Sequence, residues 1–269
     1  ISTLADTSSF DYVALLSKQV NDNPEISVTS TTLDNVKASF DPTTLALKTA
    51  VEDVGEGTVT YGVNPTAAIA ATEVTHYKQT LSWGRWINTD IQYGNLNRTV
   101  KLAANDTVHY IVGAPTLSLP NTTDIVSYHF IGSTTPTGTL STPTQSGSPA
   151  STLSAITGVS VLNDSVVKVD FGNQNSGISL DLGLTTIANG DIRMTGTGAL
   201  NTSFSVNNLM VTAGTNAAVN CGTCSANGFF AGANAELIGL NYNVKAPLAG
   251  GDASIAGVAA FEGTVTPNP

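Results

Sequence analysis

The sequence predicts a mainly β protein: an eight-stranded antiparallel up-and-down barrel preceded by a small N-terminal α+β segment. Three observations carry that expectation. From about residue 124 onward, short stretches alternating apolar and polar residues recur at regular spacing. Turn chemistry separates them, as in Pro120-Asn-Thr-Thr-Asp124, Asn173-Gln-Asn-Ser-Gly177 and Ala188-Asn-Gly-Asp191. Only 11% of residues are charged while 41% are hydrophobic, enough to bury a core but poor material for helices with paired charged faces.

Taken in order, the first stretch departs from this pattern. Apolar residues at Val13, Leu16 and Val20 have helical spacing, and Ser8 or Ser9 can serve as N-cap, so a short helix is expected to end before Asn21-Asp-Asn-Pro24. Extended pieces follow at 25–29, 37–40 and 46–51, then an acidic, glycine-bearing turn at 52–57. Residues 1–72 read as a mixed N-terminal segment and 73–269 as a β-barrel domain.

Within the second part, strands are expected at 74–83, 107–113, 125–132, 166–172, 178–184, 191–196, 203–211, 228–232, 236–245 and 254–261. The last eight, joined mostly by short connections, fit a closed up-and-down barrel or a two-sheet sandwich. In one of them Ile178, Leu180, Leu182 and Leu184 share a face, and in another Val167, Val169 and Phe171 do. The Ser-, Thr- and Pro-rich stretch 133–150 is too polar for core and reads as a mobile loop or linker.

Charge narrows the function classes. Ten Lys plus Arg against twenty Asp plus Glu give a net charge of -10, which supplies no basic footprint for nucleic acid. No run approaches the roughly 18 apolar residues of a membrane-spanning helix. The opening residues Ile1-Ser-Thr-Leu-Ala-Asp6 lack the basic and apolar regions of a signal peptide, so a removed signal or an excised domain is expected. The composition points to an extracytoplasmic protein, secreted, periplasmic or at the cell surface. Cys221 and Cys224 lie in a strand-turn-strand context with no second cysteine pair to complete a zinc site, and are expected to form a local structural disulfide.

The chemistry expected of an enzyme is thin. The chain has no Gly-x-Ser-x-Gly elbow, no His-Glu-x-x-His, and no phosphate-cradling glycine loop, so it is read as non-enzymatic, with no catalytic residue and no resident metal or cofactor. Each of the three histidines, His76, His109 and His129, sits beside a tyrosine on an expected strand. Imidazole and phenolate facing one site would suit haem or ferric iron. Strand neighbours point to opposite faces, however, which favours one buried ring and one surface group per pair. Trp83-Gly-Arg-Trp86 offers either a ligand platform or a core plug at a bulge. The speculative ligand contacts are therefore His109, His129, Tyr110 and Trp83.

Four stretches carry a family resemblance: Trp83-Gly-Arg-Trp86, Val108-His-Tyr-Ile-Val-Gly-Ala-Pro-Thr116, Ser127-Tyr-His-Phe-Ile-Gly-Ser-Thr-Thr-Pro136 and Val167-Lys-Val-Asp-Phe-Gly172. Together they resemble the C-terminal β domain of bacterial FecR-domain surface proteins. Asn227-Gly-Phe-Phe-Ala-Gly-Ala-Asn-Ala-Glu-Leu-Ile-Gly239 and Ile255-Ala-Gly-Val-Ala-Ala-Phe261 resemble the closing strands of transferrin-binding-protein-like barrels. The resemblance covers roughly 83–263 and implies parts of lipoprotein-like or secreted surface proteins of Gram-negative bacteria, some of which capture host proteins or haem. Three functions are expected from it and from the composition. The first is an extracytoplasmic binding or adhesion module for a host or cell-surface protein. The second is a carrier for haem or another small hydrophobic ligand, and the third is a structural spacer.

Overall fold

The computed structural model describes residues 12–19, 30–41, 46–53, 58–63, 75–78, 80–87, 90–94, 98–101, 107–143, 151–156, 158–186, 190–248 and 251–264. Among them the regular structure is all β, with no helix. Nine strands come first: β1 (Tyr12–Gln19), β2 (Ser30–Phe40), β3 (Leu47–Asp53), β4 (Thr58–Val63), β5 (Thr75–Tyr77), β6 (Leu81–Ile87), β7 (Asp90–Tyr93), β8 (Arg98–Lys101) and β9 (Thr107–Gly113). They form one sheet in the order β5-β6-β9-β1-β2-β3-β4-β7-β8.

The helix expected over 11–20, and with it the α+β character of the N-terminal segment, is corrected. Residues 12–19 are a strand paired antiparallel on both edges, with β2 on one side and along Val13 to Gln19 with β9 on the other. The run Tyr12-Val-Ala-Leu-Leu16 is continuous enough in apolar residues to satisfy a helical or an extended reading, and two waiting strand edges decide it. Strands β5 to β9 belong to the first sheet, and the change of sheet falls in the connection 114–124.

The first sheet curls over one of its own faces. Trp86 Nε1 donates to the Leu47 carbonyl at 2.9 Å, the Leu47 N–H donates to the Tyr110 hydroxyl at 3.2 Å, and the Trp86 and Tyr110 rings lie 4.9 Å apart. Gly84 makes room for this packing, since a Cβ there would stand 2.5 Å from the Tyr110 hydroxyl oxygen.

Twelve strands follow: β10 (Ile125–Ser133), β11 (Thr137–Pro143), β12 (Ser151–Ile156), β13 (Ser160–Val161), β14 (Val166–Asp170), β15 (Ile178–Thr186), β16 (Gly190–Gly198), β17 (Ser203–Ala213), β18 (Val219–Asn220), β19 (Ser225–Ala231), β20 (Leu237–Leu248) and β21 (Gly251–Glu262). Eight of them, β10, β14 to β17 and β19 to β21, are hydrogen-bonded antiparallel in sequence, and β21 pairs back onto β10. The ladders therefore run in a closed circuit. β10 belongs to its two neighbours in different halves: Ile125 to His129 face β14, whereas His129 to Ser133 face β21. Only His129 pairs with both.

The inward faces of the ring form one packed core, including Val167, Val169, Ile178, Leu180, Leu182 and Leu184. Phe230 is its aromatic hub, with ring centroids of Phe204, Tyr128 and Phe171 at 5.5, 5.9 and 6.1 Å. The stretch 133–150, expected as a loop, contains β11, which pairs with β21 and β12. β20 and β21 are each twelve residues long and outrun β10, and the edge they leave is satisfied by β11 despite its polar sequence. Residues 144–150 of that stretch lie outside the described residues.

The two sheets share an apolar seam in which Leu81, Trp83 and Ile111 of the first pack on Phe229, Leu237 and Val258 of the ring's outer face. Glycine admits the closest approach. A Cβ on Gly132 would lie 2.4 Å from Trp83 Cζ2.

Candidate functional site

The four residues expected as ligand contacts do not line one space. Trp83 is buried in the seam between the sheets. His109 is fully buried lower in the same seam, where Nδ1 lies 2.8 Å from Thr134 Oγ1 and Nε2 lies 2.7 Å from Thr137 Oγ1. Both ring nitrogens are thus engaged, one by Thr134 of the β10–β11 connection and one by Thr137, the first residue of β11. Burial first, and the Arg85 charge second, hold the imidazole neutral with its pKa pushed down to about 3.

Tyr110, the next residue, faces the opposite way into the curl of the first sheet, and burial raises its phenol above the ordinary range. Both members of this pair are buried because β9 has a covered face on each side, where the sequence pattern expected one surface group. The Tyr128-His129 pair divides as alternation demands, with Tyr128 in the core and His129 exposed on the outer face of β10. His76 is exposed on β5. Among the described residues no group of three or more His, Cys, Asp or Glu is placed to hold a metal ion.

Two accessible clefts lie elsewhere, at the end of the ring crossed by the connection 114–124. That connection is strapped down by backbone contacts: Pro115 bridges Ala231, the Thr116 N–H donates to the Phe230 carbonyl at 2.9 Å, and the Phe171 N–H donates to the Asp124 carbonyl at 3.1 Å. Leu119 turns in against the ring core. Leu117 turns out and is 94% exposed, and Ile125, where β10 begins, is 70% exposed. A cleft of about 350 Å³ lies beside Leu117, with Thr80, Pro115 and Glu236 among its walls. A second cleft of about 600 Å³ follows the outward row Ile125, Ser127, His129 and Ile131 to Glu262.

Glu262 also clasps the two sheets together. Its carboxylate accepts a hydrogen bond from the Tyr77 hydroxyl at 2.7 Å and is ion-paired with Lys78, a residue in the left-handed region at φ 50°. The Lys78 hydrogen bond first, and that from Tyr77 as well, hold the Glu262 carboxyl below the usual carboxylate range. An exposed apolar pair, two clefts and a fixed carboxylate thus share one end of the molecule. Such a surface can seat an apolar side chain and a neighbouring cation.

The sequence reading missed this surface. One signal was available: along Ile125-Val-Ser-Tyr-His-Phe-Ile131 the outward positions carry isoleucine at both ends, where a solvated face calls for polar residues. Leu117 gave no signal, because Leu117 and Leu119, two residues apart between Pro115 and Pro120, read as one face of a short extended piece.

Cys221 and Cys224 are joined in a disulfide at the other end of the ring's wall, near Lys245.

No known protein family matches the chain, and no curated protein matches its sequence. Among solved structures it is similar to a single-residue variant of transferrin-binding protein B from Haemophilus parasuis, at 10% identity over 95% of this chain and 46% of that one, with a TM-score of 0.44. It is also similar to transferrin-binding protein B of Neisseria meningitidis, at 12% identity over 94% of this chain and 44% of that one, TM-score 0.37. A crystal structure described as a surface lipoprotein is 13% identical over 94% of this chain and 98% of that one, TM-score 0.41. The chain spans less than half the length of the two transferrin-binding proteins. Likeness at this level assigns no function.

Proposed function

We propose that the chain is a non-enzymatic, extracytoplasmic binding or adhesion module that recognises a protein partner through the end of the ring bearing Leu117 and Ile125. The observation that carries this reading is the exposure of those two large apolar side chains beside clefts of about 350 and 600 Å³. Exposing Leu and Ile costs solubility, and a contact that buries them recovers on the order of 1.5–3 kcal/mol each. The disulfide supports an oxidising compartment. Net charge of -10 favours a basic partner by long-range steering. In keeping with the sequence resemblance, the parent is read as a FecR-domain or lipoprotein-like surface protein of a Gram-negative bacterium, and the eight-strand circuit as a filled barrel.

The test is affinity capture of candidate host and cell-surface proteins with the wild-type chain and with a Leu117→Ser, Ile125→Ser double variant. A partner retained by the wild type and lost by the folded variant supports the reading. Equal capture by both overturns it. A haemin titration separates the carrier alternative, which requires saturable one-to-one binding and a shifted Soret band that depends on His129.

A further inference from the structure

The ring's wall is not closed by strand pairing along its whole height. β19 bridges β17 and β20 only through Ser203–Val206 on one side and Leu237–Asn243 on the other. Below it, the β17 edge is met by the two-residue β18, at Met210 and Val211, and by the Cys221 N–H, which donates to the Leu209 carbonyl at 2.8 Å. Among the described residues, no strand pairs with the facing edge of β20 beyond Asn243. There the Lys245 N–H donates to Cys224 Sγ at 3.2 Å, and the sulfurs of Cys221 and Cys224 stand 3.5 and 3.7 Å from the Lys245 carbonyl oxygen. Had β19 continued by two residues, backbone at residue 223 would satisfy Lys245. Sulfur occupies that place instead.

The disulfide loop is therefore a patch in the wall. Both cysteines pack against the ring core, in line with the buried Leu209, Val211 and Val244. On the outside, Gly222 and Thr223 are exposed, and a cleft of about 470 Å³ reaches Cys221. The bond is thus accessible from solvent while its inner side seals apolar residues.

We infer that the Cys221–Cys224 disulfide is a redox-operated segment of the ring wall, opened by a dithiol reductant. A thiolate of the reductant attacks Cys221 Sγ from the cleft, forming a mixed disulfide and releasing Cys224 as thiolate. The reductant's second thiol then displaces Cys221. Two electrons and two protons pass from the dithiol to the pair, and the reductant leaves as its own disulfide. Without the cross-link, the four-residue loop loses the constraint that holds sulfur against Lys245, and the edges of β17 and β20 part locally. The wall is complete only in an oxidising compartment.

The experiment is hydrogen exchange read by mass spectrometry on the native chain, oxidised or treated with dithiothreitol and alkylated, with complete reduction checked by intact mass. Amide protection over 207–213 and 244–248 is expected to fall at least tenfold on reduction, while 178–186 and 203–206 keep theirs. The Cys221→Ser, Cys224→Ser double variant should match the reduced wild type. Three results overturn the inference: resistance of the native bond to the dithiol, unchanged protection in the two edge segments, or an equal loss of protection around the whole ring.

Discussion

His109 and Tyr110 are adjacent on one strand and belong to different cores: the imidazole joins the first sheet to the ring through Thr134 and Thr137, and the phenol joins β9 to Leu47 within the first sheet. Both imidazole nitrogens are engaged, and the buried phenol oxygen accepts from the Leu47 N–H. These two structural contacts can be separated by experiment.

His109 should make stability fall in acid. Its pKa is lowered to about 3 in the folded chain by burial and by Arg85, against about 6.5 unfolded, so the unfolded chain binds the proton more readily. Its contribution is complete above about pH 6.5 and is lost as pH falls towards 3. At pH 4 the loss comes to roughly 3 kcal/mol relative to pH 7, at about 1.4 kcal/mol per pH unit. Urea unfolding of wild type and His109→Gln at pH 7, 5 and 4 reads this directly. Parallel pH dependence in the two proteins would remove His109 as the cause.

Gly132→Ala should destabilise the contact between the sheets. The added methyl group meets the Trp83 indole, buried on its other sides by Leu81 and Ile111, so a loss of about 1–3 kcal/mol is expected. The midpoint of thermal unfolding should drop and tryptophan emission should shift to the red. An unchanged midpoint would mean that the indole has room to retreat.

Tyr128→Phe removes a hydroxyl that donates to the Ala235 carbonyl at 2.6 Å inside the ring. Ala235 itself sits at φ 56°, so this bond helps hold a backbone conformation that alanine rarely adopts. A loss of about 1–2 kcal/mol is expected in chemical denaturation. A neutral result would show that water replaces the hydroxyl.

Leu117→Ser and Ile125→Ser should leave stability within about 0.5 kcal/mol of wild type, because both side chains already face solvent. Each should weaken partner binding at least tenfold in surface plasmon resonance. Lower stability with undiminished binding would reverse both assignments.

Much of the ring was legible in the sequence, for a physical reason. Five of its strands, β10 and β14 to β17, bury mainly one face, so a period of two is written into runs such as Ile178-Ser-Leu-Asp-Leu-Gly-Leu184, whereas β19 to β21 are covered on both faces where the first sheet packs on them. β11, β13 and β18 were not legible. They are short or polar, and they exist because longer neighbours leave backbone edges to be satisfied, which is a property of the assembled sheet. The same cause turned 12–19 from an expected helix into a strand. At the site level, the sequence singled out rings by chemical type, whereas exposure at Leu117 and Ile125 depends on how the connection 114–124 lies across the ring.

The two-halved pairing of β10 has a consequence for biogenesis. Residues 129–133 find their partners at 259–262, some 130 positions later, while the intervening strands from β14 to β21 pair mainly with near neighbours in the chain. Emerging N-terminus first, the chain can zip its hairpins as they appear, yet one side of β10 stays open until the final strand arrives. Closure is the slow, high-contact-order step, and the interval before it is when a chaperone holding the β10 edge would do most to prevent aggregation.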